Sequence, residues 1–235
     1  MLRVDGRENS QLRDCTLTRH VNKYAEGSCL VCLGHTRVYC TASVEERQPG
    51  FLLNTDQGWV TAEYGMLPRA TSERNQREGG THVGGRTHEI QRIIGRSLRA
   101  VTDMVKLGPR TVRLDCDALQ ADGGTRTASV VAAYVALAEA CAWLQEKKLI
   151  KAWPLVCEAA AVSVGIVAGE VLLDLCYTED AQAMVDMNVV MTSRGQLIEV
   201  QGTGEGRAFT REEHAKMLDL AWSGFKSCAR SREPL

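Results

Sequence analysis

The 235-residue chain has almost no net charge: 28 Lys and Arg stand against 29 Asp and Glu, a formal −1. A sum so balanced argues against a whole-surface polyelectrolyte of the kind that coats nucleic acid. Long apolar runs are also missing. The longest, Ala159 to Gly169, contains Ser163 and stops at Glu170, short of the roughly 18–20 residues a membrane span requires. The first nine residues, Met1-Leu-Arg-Val-Asp-Gly-Arg-Glu-Asn9, are charged from the third onward and hold no apolar core, so no secretory leader is expected. No repeat of fixed period and no low-complexity linker divides the chain. The histidines (His20, His35, His82, His88, His214) form no HExxH pattern, which argues against a zinc hydrolase. Gly202-Thr-Gly-Glu-Gly206 lacks the GxGxxG spacing of a dinucleotide fold.

What is present describes a folded globule. Hydrophobic residues make up 44% and charged residues 24% of the chain, enough for a core. The length permits one large domain or two small ones. Nine cysteines are an odd number, and Cys40, Cys116, Cys141 and Cys176 sit inside apolar runs. Buried free thiols in a reducing compartment fit this better than a disulfide framework. Cys29-Leu-Val-Cys32 has CxxC spacing but lies in a strand-like run with no second pair, so the expectation is a structural role.

Alternation places short strands at 17–21, 28–33 and 37–43, a loop at 45–57 and a further strand at 58–63. Residues 68–85 are almost devoid of apolar side chains and read as a long solvated loop. A helix is predicted over 86–104, with Ile90, Ile93, Ile94, Ser97, Leu98, Val101 and Val105 on one face and Arg92, Arg96 and Arg99 opposite. Residues 111–119 alternate as a half-buried strand, and an Ala-rich helix follows over 125–148. Strands are expected at 159–167, 170–177, 185–192 and 196–201. Thr210-Arg-Glu-Glu213 opens a last helix, to about residue 228, as a capping box. Blocks of strands with helices between them indicate a mixed-sheet α/β or α+β sandwich.

Three elements carry chemistry. Asp122-Gly-Gly-Thr-Arg-Thr127 is a strand-to-helix turn in which glycines permit close backbone approach, Thr125 offers a hydroxyl and Arg126 a fixed charge for an oxyanion. Gly84-Gly-Arg-Thr87 repeats the pattern, and Arg86 in a first helical turn opposes the macrodipole unless an anion sits there. One oxyanion between Arg86 and Arg126 is one reading; two surface arginines that never meet is the other. Residues 170–186 hold Glu170, Asp174, Glu179, Asp180 and Asp186 and no base, a local −5, and Asp180 and Asp186 flank a short loop where they could share a divalent cation. A solvated acidic loop is the alternative. Against these stands a local +4 over residues 69–99, with seven arginines (Arg69, Arg74, Arg77, Arg86, Arg92, Arg96, Arg99) and three glutamates. Guanidinium forks suit phosphodiesters, although Arg92, Arg96 and Arg99 equally suit a solvated or subunit-facing helix side.

At these residues the chain resembles the ribonuclease PH family of phosphorolytic 3′-exoribonucleases that trim tRNA precursors. The matching stretches include Gly58-Trp-Val-Thr-Ala-Glu-Tyr-Gly-Met-Leu-Pro-Arg-Ala-Thr71, Gly84-Gly-Arg-Thr87, Glu89-Ile-Gln-Arg-Ile-Ile-Gly-Arg-Ser-Leu-Arg-Ala100, Leu119-Gln-Ala-Asp-Gly-Gly-Thr-Arg-Thr-Ala-Ser129, Glu179-Asp180, Val185-Asp-Met-Asn-Val-Val-Met-Thr192 and Glu199-Val-Gln-Gly-Thr-Gly-Glu205, in order along nearly the whole chain. The resemblance implies a ribonuclease PH-like two-layer fold of mixed β-sheets and helices, one domain over 1–235 with halves at 1–150 and 151–235, and a cytoplasmic hexameric ring built as a trimer of dimers. It implies phosphate binding by Arg86, Gly124, Thr125 and Arg126, catalysis and Mg²⁺ (or Mn²⁺) binding by Asp180 and Asp186, and RNA guidance by Arg69, Arg74 and Arg77. Arg92, Arg96 and Arg99 extend that basic set. Asn188 stands where the polynucleotide phosphorylase core has lysine. Departures fall at Thr81-His82-Val83 and at the cysteines near residue 30. A silent ring subunit would lack the phosphate arginines or the aspartates, and a generic phosphate-binding enzyme would leave the arginine loop unexplained.

Overall fold

A computed structural model describes residues 3–78 and 83–230. The chain runs β1 (Cys15–Arg19), β2 (Gly27–Leu33), β3 (Thr36–Glu45), β4 (Trp59–Met66), α1 (Gly85–Ala100), α2 (Met104–Leu107), β5 (Thr111–Gln120) and α3 (Thr125–Glu146). It continues through β6 (Ala159–Val167), β7 (Glu170–Leu173), α4 (Tyr177–Asp180), β8 (Val185–Thr192), β9 (Leu197–Thr203) and α5 (Arg211–Arg230). The first five strands form a mixed sheet in the order β1-β2-β3-β5-β4, in which only β4 and β5 run parallel. The last four form an antiparallel sheet, β7-β6-β8-β9. Each sheet carries helices on a face. The first packs on α1 and α3, the second on α5, and α3 also packs on β6 and β8 of the second sheet.

The patterning explains the packing. On β5, Val112, Leu114, Cys116 and Ala118 face the core while Arg113, Asp115 and Asp117 face outward, as a sheet with one wet side requires. Every residue of β6 is buried, because α3 covers one face and α5 the other. Helix α3 is apolar nearly all round, and by length and composition its 22 residues would serve as a membrane span; 89% of its most apolar window is instead buried inside the fold. Small side chains let the sheet approach it: a Cβ on Gly27 of β2 would lie 2.0 Å from the Ala136 carbonyl oxygen. The one carboxylate in the middle of α3, Glu139, is satisfied by Arg19 Nε (2.8 Å) and the Ser28 amide (2.9 Å).

The cysteines behave as small apolar residues. Cys29 is buried and Cys32 is half-buried, three residues apart on β2 and therefore on opposite faces. Burial pushes the Cys141 thiol up to about 12 and raises Cys40 well above its ordinary value. Both are poor nucleophiles as a result.

Two predicted elements end early. The 86–104 helix stops at Ala100 because residues 101–103 pair with 154–156: Val156 N donates to Val101 O, Asp103 N to Pro154 O, and Thr102 bridges Leu155. Asp103 then caps α2 through the Val105 and Lys106 amides, and Val105 is exposed rather than part of the apolar face. The 170–177 strand stops at Leu173, where Asp174 turns the backbone at φ +54°, and Tyr177 opens α4 instead. The capping box is formed as expected, with Glu213 N donating to Thr210 Oγ1 (3.1 Å) and Thr210 N to Glu213 Oε2 (2.8 Å). Part of the 68–85 loop, including Thr81 and His82, and the side chain of Cys228 lie outside the described residues.

Candidate active site

The turn between β5 and α3 is built on Gly123 and Gly124, at φ +77° and +71°. A Cβ on Gly123 would lie 2.6–2.8 Å from Leu175 O, Cys176 C and Tyr177 N, so this turn touches the backbone that leads into α4. From the sheet side, Thr36 Oγ1 donates to Gly123 O (2.6 Å) and accepts from Asp122 N (2.9 Å). Glycine thus brings the start of α3, with Thr125 and Arg126, against the chain that carries Asp180. The loop 181–184 returns as β8, whose second residue, Asp186, pairs in register with Gly165 of β6. Helix α1 begins beside them, with Arg86 exposed in its first turn.

These segments enclose a cavity of about 790 Å³ lined by Arg86, Gly124, Thr125, Arg126, Asp180 and Asp186. The two arginines therefore share one cavity, where Arg126 bears on both aspartates and Arg86 on Asp180. Burial raises the Asp180 carboxyl, with Arg86 and Arg126 pulling it down and Glu205 pushing it up. Burial also raises Asp186, and the neighbouring Asp180 adds to the rise while Arg126 opposes it. Opposite charges thus line the two sides of one opening. Arg126 Nη2 reaches Glu89 Oε2 (3.4 Å), and Gln201 of β9 donates to Glu89 Oε1. Arg126 Nε and Gln201 Oε1 are buried without a partner among the described residues. Unpaired buried polar atoms in one cavity are what a polar, charged ligand satisfies.

The other arginines lie elsewhere. Arg69, Arg74 and Arg77 are exposed on the loop after β4; Thr71 and Asn75 of that loop line the cavity rim, but the arginines do not. On α1, Arg92 is exposed, Arg96 pairs with Glu199 (2.7 Å), and Arg99 donates to Val60 O (2.8 Å) and lies 4.4 Å over the Trp59 ring. None of these three reaches the cavity, and two are used by the fold. Of the five acids counted over 170–186, only Asp180 and Asp186 face the cavity. Asp174 and Glu179 are buried against N-terminal arginines and Glu170 accepts from Asn9. Sequence reasoning missed Glu89, Gln201 and Glu205, which line the cavity from α1, β9 and the loop after it. Each lies within or beside a stretch that matches the family, which was the signal available for them.

Among the described residues no three His, Cys, Asp or Glu side chains form an all-protein metal cage. The two carboxylates of Asp180 and Asp186 nonetheless suit a hard cation. Mg²⁺ is commonly held by one or two carboxylates, with water and substrate phosphate completing its shell.

Residues 11–142 match the model of domain 1 of the 3′ exoribonuclease family and residues 157–224 match domain 2. The chain is 59% identical over 228 residues to ribonuclease PH of Moorella thermoacetica, covering 97% of this chain and 91% of that protein. In fold it is similar to Rrp46 of rice (Oryza sativa), with a TM-score of 0.77 and 20% identity over 97% of this chain and 99% of that one. It is likewise similar to a chain of the Archaeoglobus fulgidus exosome with RNA bound to the active site, with a TM-score of 0.81 and 23% identity over 97% of this chain and 91% of that one. With both family domains present in order around one cavity, the chain belongs to the 3′ exoribonuclease family.

Proposed function

We propose that the chain is a phosphorolytic 3′-to-5′ exoribonuclease that removes 3′-terminal nucleotides from tRNA precursors and other RNAs, releasing nucleoside diphosphates. In reverse it is a tRNA nucleotidyltransferase. The observation that carries this reading is the cavity in which Arg86, Arg126 and the Gly124–Thr125 turn face Asp180 and Asp186. Inorganic phosphate, as substrate, binds between the two guanidinium groups and the first amides of α3. One of its oxygens attacks the last phosphodiester phosphorus, and the bond from phosphorus to the 3′-oxygen of the preceding nucleotide breaks. Asp180, whose carboxyl burial raises from its ordinary value, delivers the proton that the leaving oxygen takes up. The products are a nucleoside diphosphate and an RNA one nucleotide shorter. Asp180 and Asp186 would hold Mg²⁺ or Mn²⁺, which when bound supplies charge neutralisation for the phosphoryl oxygens.

Arg69, Arg74 and Arg77 bind the RNA backbone as it approaches, since their loop also contributes Thr71 and Asn75 to the rim. Because the cavity takes residues from both matched halves, the chain acts as a single unit; its membership of the family supports assembly as a homohexameric ring, a trimer of dimers. Free thiols at Cys32, Cys40, Cys116, Cys141, Cys157 and Cys176 suit a reducing, cytoplasmic setting. The test is to incubate the protein, Mg²⁺ and a 3′-extended tRNA with and without phosphate. Nucleoside diphosphates are expected only with phosphate, and Arg126→Ala abolishes their release while the assembly keeps its size. Equal release without phosphate, or release of monophosphates, refutes the reading.

A further inference from the structure

Phosphorolysis at this cavity needs two groups from distant parts of the chain at one fixed spacing. These are the turn that opens α3, with Gly124 to Arg126, and the carboxylate of Asp180 at the end of α4. What fixes the spacing lies behind the cavity wall, in the segment before β1. Arg13, 7% exposed, grips Asp174, 2% exposed, with both ends of its fork: Nε to Oδ2 (3.0 Å) and Nη2 to Oδ1 (2.6 Å). The same guanidinium donates from Nη1 to Asp122 O (2.6 Å) and from Nη2 to Gly123 O (3.4 Å) and Leu175 O (3.3 Å). One side chain therefore ties the carbonyls of the Gly-rich turn to the strand end that leads into α4. Asp174 pays in strain at φ +54°, and the Arg13 amide also donates to it (2.8 Å).

A second arginine holds the next step. Arg3 forks onto Glu179, with Nε to Oε1 (2.8 Å) and Nη2 to Oε2 (2.6 Å), and it also donates to Leu173 O (2.8 Å) and Asp174 O (3.0 Å). Glu179 accepts from Cys176 N (3.1 Å), which closes the turn of α4 whose last residue is Asp180. Buried ion pairs contribute little net stability relative to apolar packing of the same volume, so stability alone is a weak reason for this cluster. What a planar fork supplies is geometry: it fixes distance and angle at once, which a lysine cannot. Neither arginine lines the cavity.

We propose that Arg13 and Arg3 are positioning residues for phosphorolysis, holding the phosphate-binding turn and the Asp180 carboxylate in register through Asp174 and Glu179. The proposal rests on the phosphate-site reading given above. Because the two arginines hold different parts, their loss separates in the kinetics. With Arg13→Lys the turn loses its fork while α4 keeps Arg3, so KM for phosphate rises on the order of tenfold or more and kcat falls less. With Glu179→Gln the turn stays tied while α4 loosens, so kcat falls on the order of tenfold at saturating phosphate with KM for phosphate near wild type. A misplacement near 1 Å is worth up to roughly 10²-fold, which sets the upper bound.

The experiment measures phosphate-dependent release of nucleoside diphosphate from a short 3′-extended RNA by wild type, Arg13→Lys, Glu179→Gln and Arg126→Ala, with melting temperature and assembly size recorded for each. Asp174→Asn approaches the same bond from its other end and must reproduce the Arg13→Lys signature if that variant does not fold. The split between KM and kcat supports the proposal. Losses in both variants that only track the folded fraction, or phosphate KM unchanged in both Arg13→Lys and Asp174→Asn, overturn it. Arg126→Ala distinguishes the two levels: if it keeps wild-type phosphate dependence the site reading fails, and if it is dead while Arg13→Lys and Asp174→Asn are kinetically normal, only the positioning role fails.

Discussion

Gly123→Ala tests whether the contact between the Gly-rich turn and the chain entering α4 governs activity. The added Cβ would sit 2.6–2.8 Å from Leu175 O, Cys176 C and Tyr177 N, where ordinary contact begins at 3.4 Å. The two backbones must separate by about 0.6–0.8 Å, and because all three neighbours are backbone atoms, no rotamer change can absorb it. Overpacking of this kind costs about 1–3 kcal/mol, and φ +77° adds roughly 1–2 kcal/mol for a residue with a Cβ. The expected stability loss is therefore about 2–5 kcal/mol. The displacement falls between the phosphate turn and Asp180, so kcat/KM for phosphate falls by one to two orders of magnitude, roughly what a shift approaching 1 Å costs. Gly169→Ala is the matched control. It has φ +85° with nothing within 4 Å of its Cβ, so it carries the strain without the displacement. Urea melts should show a smaller loss for Gly169→Ala, and phosphorolysis assayed on the folded protein should be normal. A folded Gly123→Ala with kcat/KM within about twofold of wild type, or a Gly169→Ala enzyme equally impaired, refutes the reasoning.

Two further predictions concern stability. Glu139→Ala leaves the buried Ser28 amide unpaired and Arg19 free to reach water, and a loss of about 2–3 kcal/mol is expected in urea melts, against which a change under about 1 kcal/mol would count. At acid pH the relevant carboxylate is Glu179. Burial pushes it upward, but the hydrogen bonds from Arg3 and the Cys176 amide outweigh burial and hold it below its ordinary 4.5. A depressed carboxyl adds stability that is fully present above the unfolded value and is lost as pH falls below about 4.5 toward the lower folded value. Melting temperature should therefore drop less steeply with acidification in Glu179→Gln than in wild type across that range, and parallel curves would show that Glu179 carries none of the slope.

Local pattern located the elements that local forces decide. The alternation of β5, the strand at 159–167 and the capping box at Thr210 all follow from residues near in sequence. The end of α1 does not, because residues 101–103 leave the helix to pair with 154–156, partners that periodicity within a window cannot see. The Gly-rich turns and Arg86 and Arg126 were legible as an anion site, but their meeting in one cavity needed the packing of both sheets. Charge shows the limit most clearly. A local −5 over residues 170–186 reads as a single acidic segment, yet Arg3, Arg7 and Arg13, more than 150 positions away, compensate Asp174 and Glu179 inside the fold. Asp180 and Asp186 make no ion pair among the described residues, and they are the two that face Arg86 and Arg126 across open space. A run of like charge in a sequence therefore marks a site only for those members the fold leaves uncompensated. Here the N-terminal arginines perform that selection, since they occupy Asp174 and Glu179 while Glu170 stays exposed at the surface, so that Asp180 and Asp186 are left to the cavity.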